Sequence, residues 1–394
     1  GEGYFVNTSG GISTVNLPAG AAGSIVAIAD YTRTFNSNNC TINADGSEKM
    51  GGVDAPVTLN VNGQSATFVY VDGTEGWVNV QETETSQAGA TPYVEATVSG
   101  ACNTLTTVDT NYKVAKFLGP GTFCVSQAGT PGGNNKADYL VVAGGASGGG
   151  ACGGDGGGGG GAGGFRESYT PTVSGPYTAS PVNNNCGAIT LTVQGYPIVV
   201  GAGGAGIPAA AAKGNCGAVS SGLCISSAGG GGGGAQNAPT RLAQAGGSGG
   251  GGGGGGPMTG GAGNTPTTSP SQGNPGGNTT PTPDQVTGAG GGIGGAGGTG
   301  KVAGPTTGGV GGTGAETEIS GAPVGYAGGG GGSSSGVAGP VGAIVGGATA
   351  GASAPGASSA GTVNTGGGSG GGAGSGGSSG NGGSGIVYIR YKFQ

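Results

Sequence analysis

The chain has 394 residues, of which 109 are glycine, and a formal net charge of −6 at pH 7. With only 11 lysines and arginines it offers no basic surface for nucleic acid. It contains no histidine, which removes the usual general base and the common catalytic triads. It also has neither a signal-peptide pattern nor an apolar run of about 18 residues, so we expect no membrane insertion.

Residues 1–81 have the pattern of a small β module. Short segments rich in β-branched and aromatic residues alternate with turn residues: GYFVNTS, STVNLPA, GSIVAIADY, CTINADG, PVTLNVNG and SATFVYVDG. Asn62-Gly63 and Asp72-Gly73 suit tight hairpin turns. This spacing predicts an all-β antiparallel sandwich or barrel, with Trp77 in its core.

A polar linker is predicted at 82–92, followed by a second domain at 93–394. The second domain is also expected to be β, with essentially no α-helix. Its strand-like pieces fall in three framework regions, 93–143, 165–201 and 386–393. The clearest pieces are 121–127, 138–143 and the closing IVYIRYKF.

The glycine-rich part lies between these framework regions, because 90 of the 109 glycines fall within residues 143–385. A polyproline-II-type helix has three residues per turn, so it sorts residues into three columns, and buried columns must be glycine. In 288–300, Ile293, Ala296 and Thr299 share one column, whereas the positions 291/294/297/300 and 292/295/298 of the other two columns are all glycine. We expect these three side chains to point one way.

A second segment repeats this spacing. In 369–384, one column holds Ser375, Ser378, Asn381 and Ser384, and another is all glycine. The sequence therefore predicts a bundle of polyglycine helices at 144–164 and 202–385 that grows out of the β framework. The alternatives are a disordered linker, which explains neither the register nor the strand at 386–393, and collagen, whose long proline-rich Gly-X-Y repeat is absent.

Motifs that resemble catalytic or metal sites carry little weight in this composition. Residues 295–301, GAGGTGK, match a phosphate loop, but Val302 replaces the Ser or Thr that would bind magnesium. Glu316 and Glu318 are expected in a solvated loop. The seven cysteines match no zinc spacing and are read as buried thiols or a few disulfides. We predict no enzyme activity, no metal and no cofactor.

Polar interruptions between the glycine runs are read as the turns that connect helices. Turns at one end of a rigid bundle form a contiguous surface, where loops often carry recognition. The candidate receptor-binding residues on these turns are Arg241, Met258, Asp284, Glu316 and Tyr326.

Several stretches together resemble known proteins. The segments DYLVVAGGASGGG, YPIVVGAGGAG and GGSGIVYIRY resemble the glycine-rich domain of phage tail-fibre and adhesin proteins, and NYKVAKFLGPGTFCV resembles the strand pair that leads into it. GYFVNTSGG, LPAGAAGSIVAIADY and FVYVDGTEGWVNV resemble a β module of marine bacteriophage and cyanophage structural proteins.

The resemblance implies a non-enzymatic, extracellular virion fibre, tail or otherwise, that is homotrimeric. Its implied partners are other fibre or tail proteins and a host-surface glycan or outer-membrane protein. The turns here are poor in aromatic residues, unlike those of the tip adhesins.

Two other classes remain open. A secreted ice-binding or extracellular matrix protein would present Thr299, Thr313, Ser375 and Ser378 on a regular face. A capsule depolymerase would release sugar from host polysaccharide, and we expect no such release.

Overall fold

The computed structural model describes residues 1–83, 93–130, 134–151, 156–183, 187–236, 242–279, 286–295, 297–299, 307–334, 347 and 356–394. The chain divides into two compact units, Gly1–Pro92 and Tyr93–Gln394. Most of the predicted linker, 84–92, lies outside the described residues.

The first unit contains two sheets. The first four strands are β1 (Glu2–Val6), β2 (Ser13–Asn16), β3 (Ile25–Asp30) and β4 (Cys40–Asn43). The next three are β5 (Val57–Leu59), β6 (Ser65–Tyr70) and β7 (Trp77–Thr83), so β7 runs two residues into the predicted linker. One sheet has the order β1-β3-β6-β7 and the other β2-β4-β5.

These sheets are mixed, whereas the sequence predicted purely antiparallel pairing. β1 pairs with β3 and β2 pairs with β4 in parallel, because the chain alternates between the two sheets over its first four strands. Asn62-Gly63 likewise joins strands of different sheets rather than closing a hairpin. Trp77 is buried in the core, as predicted, and its indole N–H donates to Glu48 Oε2 at 3.1 Å.

The second unit is framed by antiparallel strands. They are β8 (Val94–Val98), β9 (Thr104–Val108), β10 (Tyr112–Phe117), β11 (Gly121–Ala128), β12 (Lys136–Val142) and β13 (Phe165–Glu167). Shorter strands follow, β14 (Ile189–Thr190), β15 (Gly195–Ile198), β16 (Ser220–Gly222) and β17 (Ile225–Ser227). The last are β18 (Ala315–Thr317), β19 (Val324–Tyr326) and β20 (Ile386–Lys392).

The main sheet has the order β13-β12-β20-β10-β9, so the final strand of the chain lies at its centre. One face packs on the sheet β15-β11-β8 through Phe123, Tyr139 and Tyr391. The other face packs on the β18–β19 hairpin. Burial on both faces explains why the interiors of β12 and β20, apart from Asp138 and Arg390, are apolar on both faces rather than alternating.

α-Helical structure is confined to one turn within the described ranges. The helix α1 (Pro171–Ser174) has four residues and packs near β12 and β20. In the part of the chain that the structure describes, no helix has the length and apolar character needed to cross a membrane.

The glycine-rich region is an ordered array around a central segment, residues 156–164. Its backbone N–H groups repeat their direction every third residue. Gly157, Gly160 and Gly163 donate to the carbonyls of Gly372, Ser369 and Gly366 at 2.8, 2.8 and 2.9 Å. Gly158, Gly161 and Gly164 donate to Gly234, Gly231 and Ala228 at 2.8 to 2.9 Å. This period is what a helix with three residues per turn requires.

The third column of the central segment completes the pattern, because Gly159 and Ala162 donate to Gly288 and Gly291. Its carbonyl groups accept hydrogen bonds from three further segments. The six neighbours are residues 143–149, 228–234, 248–251, 288–291, 330–333 and 366–372. Partner numbering shows that five of them run antiparallel to the central segment and that 288–291 runs parallel.

The six neighbours also bond to one another and so form a closed ring. Linking bonds of 2.8 to 3.1 Å run from Ser369 to Ala146, Gly230 to Gly144, Gly231 to Ser248, Gly291 to Gly249, Gly290 to Gly330 and Gly371 to Gly331. Each connects adjacent members of the ring. A central helix with six bonded neighbours is hexagonal packing, which we call the bundle.

This packing leaves no room for side chains at the centre. A Cβ atom would lie 2.1 Å from a carbonyl oxygen at Gly158 or Gly159, and 2.3 Å from one at Gly160. Because these obstacles are backbone atoms, they cannot rotate away. At these three positions the residue therefore has to be glycine, as inferred from the sequence, whereas Ala162, nearer to β13 in the same segment, is buried as alanine.

Two detailed expectations about the bundle need correction. Residues 293–295 form a bend, and Ala289 N–H donates to the carbonyl of Gly298 at 3.0 Å, so 288–300 folds back on itself. Ile293 is buried and Thr299 is exposed, so they do not share one edge, and Ala296 lies outside the described residues. Residues 369–384 likewise form two segments, with a turn at 374–376.

Within the second of these segments, residues 377–385, the predicted columns are confirmed. Asn381 is exposed and Ser378 and Ser384 are half-buried, whereas in the glycine column Gly377 and Gly383 are buried and Gly380 is half-buried.

Candidate binding surface

The bundle has two ends that differ in what they can present. At one end, which we call the sheet end, segments 143–149, 156–164 and 377–385 continue from or into β12, β13 and β20. At the opposite end, the distal end, the described connections include 208–212, 254–258 and 374–376. Gly254 N–H donates to the carbonyl of Gly156, which places 254–258 beside the first residue of the central segment.

The structure separates the candidate receptor-binding residues. Met258 lies at the distal end, half-buried, and its carbonyl accepts a hydrogen bond from Thr279 N–H at 2.8 Å. Glu316 is exposed but lies on β18, next to the main sheet. Arg241 and Asp284 lie outside the described residues.

Tyr326 is not a surface residue, and the expectation that it lies on an exposed turn is wrong. Its side chain is 1 % exposed and packs edge-on against Tyr388, with ring centroids 6.4 Å apart. Burial raises the pKa of its hydroxyl. The residues read as turns at 315–320 and 324–327 instead form the β18–β19 hairpin, which covers a face of the sheet.

A buried polar cluster at the sheet end was not anticipated. Arg390, on β20, is fully buried. Its Nε donates to the carbonyl of Ser174 at 2.6 Å, and its two terminal nitrogens donate to the Ile319 carbonyl and to Asp109 Oδ2. The guanidinium lies over the rings of Tyr112 and Tyr177. Arg390 thereby ties α1, the β18–β19 loop and the β9–β10 turn to the central strand.

Two buried carboxylates complete this cluster. Asp138 accepts hydrogen bonds from Ser168 Oγ, Ser174 Oγ and the Thr170 N–H, at 2.6 to 2.8 Å. Glu167 accepts from Thr317 Oγ1 and from the Ser180 N–H. Burial raises the pKa of Asp138, against hydrogen bonds that lower it, and raises the pKa of Glu167 to about 7.

The cluster has the geometry of a buried hydrogen-bond network that holds neighbouring elements together, rather than that of an active site. Asp138, Glu167 and Arg390 have no solvent exposure, so a substrate has no access to them. Their polar atoms bond to hydroxyl and backbone groups from neighbouring elements and, in the case of Arg390, also to the Asp109 carboxylate. The sequence signal was the charged residue within each apolar strand, Asp138 in ADYLVV and Arg390 in IVYIRY, because charges in buried strands need partners.

Outside this cluster, the described residues include few side chains that could bind a metal or react. Within the described ranges no group of three or more His, Cys, Asp or Glu side chains lies close enough to hold a metal. Cys40 is buried, and burial raises the pKa of its thiol to about 11. Cys102, Cys124, Cys216 and Cys224 are exposed free thiols, so the five cysteines in this part of the chain form no disulfides with one another.

Comparison with known proteins finds one family. The model described as "Glycine-rich domain" matches residues 118–392, which span the framework from β11 to β20 and all the bundle segments. No curated protein matches the chain.

Proposed function

We propose that this chain, which belongs to the glycine-rich domain family, is a non-enzymatic structural component of a bacteriophage fibre that holds the virion to the host surface. It would act outside the cell, on the virion, as a homotrimer with other fibre or tail proteins. Its target would be a host-surface glycan or outer-membrane protein.

One observation carries this proposal: the central segment bonds to six neighbours that also bond to one another. Such a bundle is stiff in every lateral direction, and its axis leads away from a sheet buried on both faces. A stiff body with connections at its far end suits the display of a contact surface at a distance from its anchor. Tyr326 is excluded from that surface, and Met258 remains on it.

The proposal is tested by binding of the purified full chain, labelled on exposed thiols, to a panel of marine bacteria and cyanobacteria. We expect saturable binding to some strains, displaced by unlabelled protein. Met258→Arg should weaken that binding, since Met258 lies at the distal end. Glu316→Arg at the sheet end is the matched control and should leave binding unchanged. Binding to no strain, or equal loss in both variants, would contradict the proposal.

A second candidate, an ice-binding or matrix protein, has one supporting observation. Thr299 and Thr313 are both exposed on adjacent segments, which are joined by a 2.8 Å bond from Gly298 N–H to the Val310 carbonyl. Ser375 does not lie beside these two threonines. It belongs to the turn 374–376, and the segments joined by that turn neighbour 356–362 and 201–207. Thermal hysteresis in a dilute solution of the chain would favour this candidate over a fibre.

A further inference from the structure

A groove runs along the side of the bundle where its packing is incomplete. Its floor is the segment 377–385, and its walls are the segments 201–207 and 356–363. The groove has a volume of about 360 Å³. The residues that define it are Ala202, Ala205, Ala360, Val363, Asn381 and Ser384.

The three segments are hydrogen-bonded to the bundle on their inner sides, the segment 356–363 through the Ser359 carbonyl, which accepts from Gly370 N–H at 3.4 Å. Gly204 and Gly383 donate to the carbonyls of Gly145 and Gly367, at 2.9 and 2.8 Å. The floor is also joined to both walls by bonds of 2.8 Å, since Gly382 donates to Gly204 and Gly361 donates to Asn381. The groove thus continues the packing interface that holds the bundle together.

On their outer sides the same segments present backbone groups at the bundle's own period. Ala202 and Ala205, Asn381 and Ser384, and Ala360 and Val363 form three columns, with members three residues apart. Within the described part of the chain, none of these six backbone N–H groups donates a hydrogen bond. The side chains of Asn381 and Ser384 bond to Gly206 N–H and Asn364 N–H on the walls.

We infer that this groove is a vacant position of the hexagonal packing and that an outer polyglycine segment of a second copy of this chain occupies it. An occupant with three residues per turn would meet N–H groups from three segments at its own spacing. This is how the central segment meets its neighbours.

The entropy of glycine decides which occupant fits. Ordering a free peptide costs about 1 to 2 kcal/mol per residue, whereas each hydrogen bond returns only about 1 kcal/mol. A flexible glycine-rich peptide would therefore gain almost nothing in the groove. A segment already held in a folded bundle avoids this cost, and a second copy supplies such segments.

Charge also permits self-association. Among the residues that the structure describes, no charged side chain lines the groove. Beyond residue 168 the chain has three acidic and five basic residues, so two bundles approach without strong repulsion. The inference deepens the homotrimer part of the proposed function by naming its contact surface, and to that extent it rests on the proposed function. Its test, however, measures self-association rather than cell binding, so the two can fail separately.

The test is sedimentation velocity of the full chain over a range of concentrations. A reductant is present throughout, because four exposed thiols would otherwise cross-link. We expect reversible assembly of the unmodified chain. Ala202→Glu and Val363→Glu place a charge on exposed walls of the groove and should each weaken assembly at least tenfold.

The matched control is Ala262→Glu, at an exposed alanine on the segment 258–263 elsewhere in the bundle, which should assemble like the unmodified chain. Hydrogen exchange adds a positional readout: peptides covering 201–207 and 377–385 should gain protection as concentration rises. A chain that stays monomeric, groove variants that assemble normally, or protection that appears only elsewhere would each overturn the inference.

Discussion

Replacing Gly159 by alanine is expected to destabilise the second unit by about 3 to 5 kcal/mol. A Cβ atom at this position would lie 2.1 Å from the carbonyl oxygen of Gly330, so the two segments must separate by about 1 Å. Overpacking of this kind costs about 1 to 3 kcal/mol. Moving Gly330 also breaks its bonds to Gly160 and Gly290, each worth about 1 kcal/mol.

The matched control is Gly295→Ala, the same change in the same bundle. There the nearest atom to the new Cβ is the hydroxyl oxygen of Thr313, at 3.1 Å, on a side chain that can rotate. We expect a change within about 1 kcal/mol, because alanine also lowers the entropy of the unfolded chain. The contrast therefore isolates the backbone clash from the general effect of adding a methyl group.

Calorimetry of the full chain measures both effects. For a unit of this size the loss at Gly159 corresponds to a fall of roughly 5 to 10 °C in its transition temperature. Ala162 lies one turn further along the same column and shows that the cost of a methyl group depends on its position. It is fully buried, yet it is accommodated because it packs among the side chains of the cluster that contains Phe165 and Ile293. Equal transition temperatures for the two variants would refute the reasoning.

Three further predictions concern the two cores. Between pH 4.5 and about 7 folded Glu167 keeps a proton that the unfolded chain releases, so stability should fall by up to about 3 kcal/mol as pH rises; a Glu167→Gln variant with the same pH profile in calorimetry would contradict this. Arg390→Met should cost about 3 kcal/mol in denaturant unfolding, because it strips partners from a buried cluster, whereas Asp109→Asn, at a carboxylate 54 % exposed, should cost under about 1 kcal/mol. Trp77→Ala should lower the free energy of unfolding of the first unit by about 3 to 5 kcal/mol and leave the transition temperature of the second unit unchanged. A lower transition temperature in both units would argue against their independence.

The framework strands were predictable because their signal is local. β12 and β20 were expected at 138–143 and 386–393 and are observed at Lys136–Val142 and Ile386–Lys392. Both segments are short runs rich in β-branched and aromatic residues next to a glycine-rich stretch, and such runs leave few other choices. The column of Ser378, Asn381 and Ser384 also carried its own register, since these side chains need more room than the tightly packed glycine positions leave.

The path of the chain within the glycine runs was not predictable. Glycine fits a helix and a bend equally well, so nothing in 288–300 marks the reversal at 293–295. The β18–β19 hairpin was missed because its strands have three residues each. Tyr326 did carry a signal, since a lone aromatic residue in a glycine-rich region has more to gain from burial than any of its neighbours.

The position of β20 has a consequence for how the chain acquires its structure. β20 joins β12 to β10, and its Arg390 reaches Asp109, 281 residues earlier. Likewise, the N–H groups of Gly157, Gly160 and Gly163 in the central segment have no acceptors until residues 366–372 have been made. During synthesis, the sheet cannot close until β20 has left the ribosome, and the bundle cannot close until residues 366–372 have done so. Such distant pairing makes folding slow and leaves exposed backbone edges vulnerable to association in the meantime.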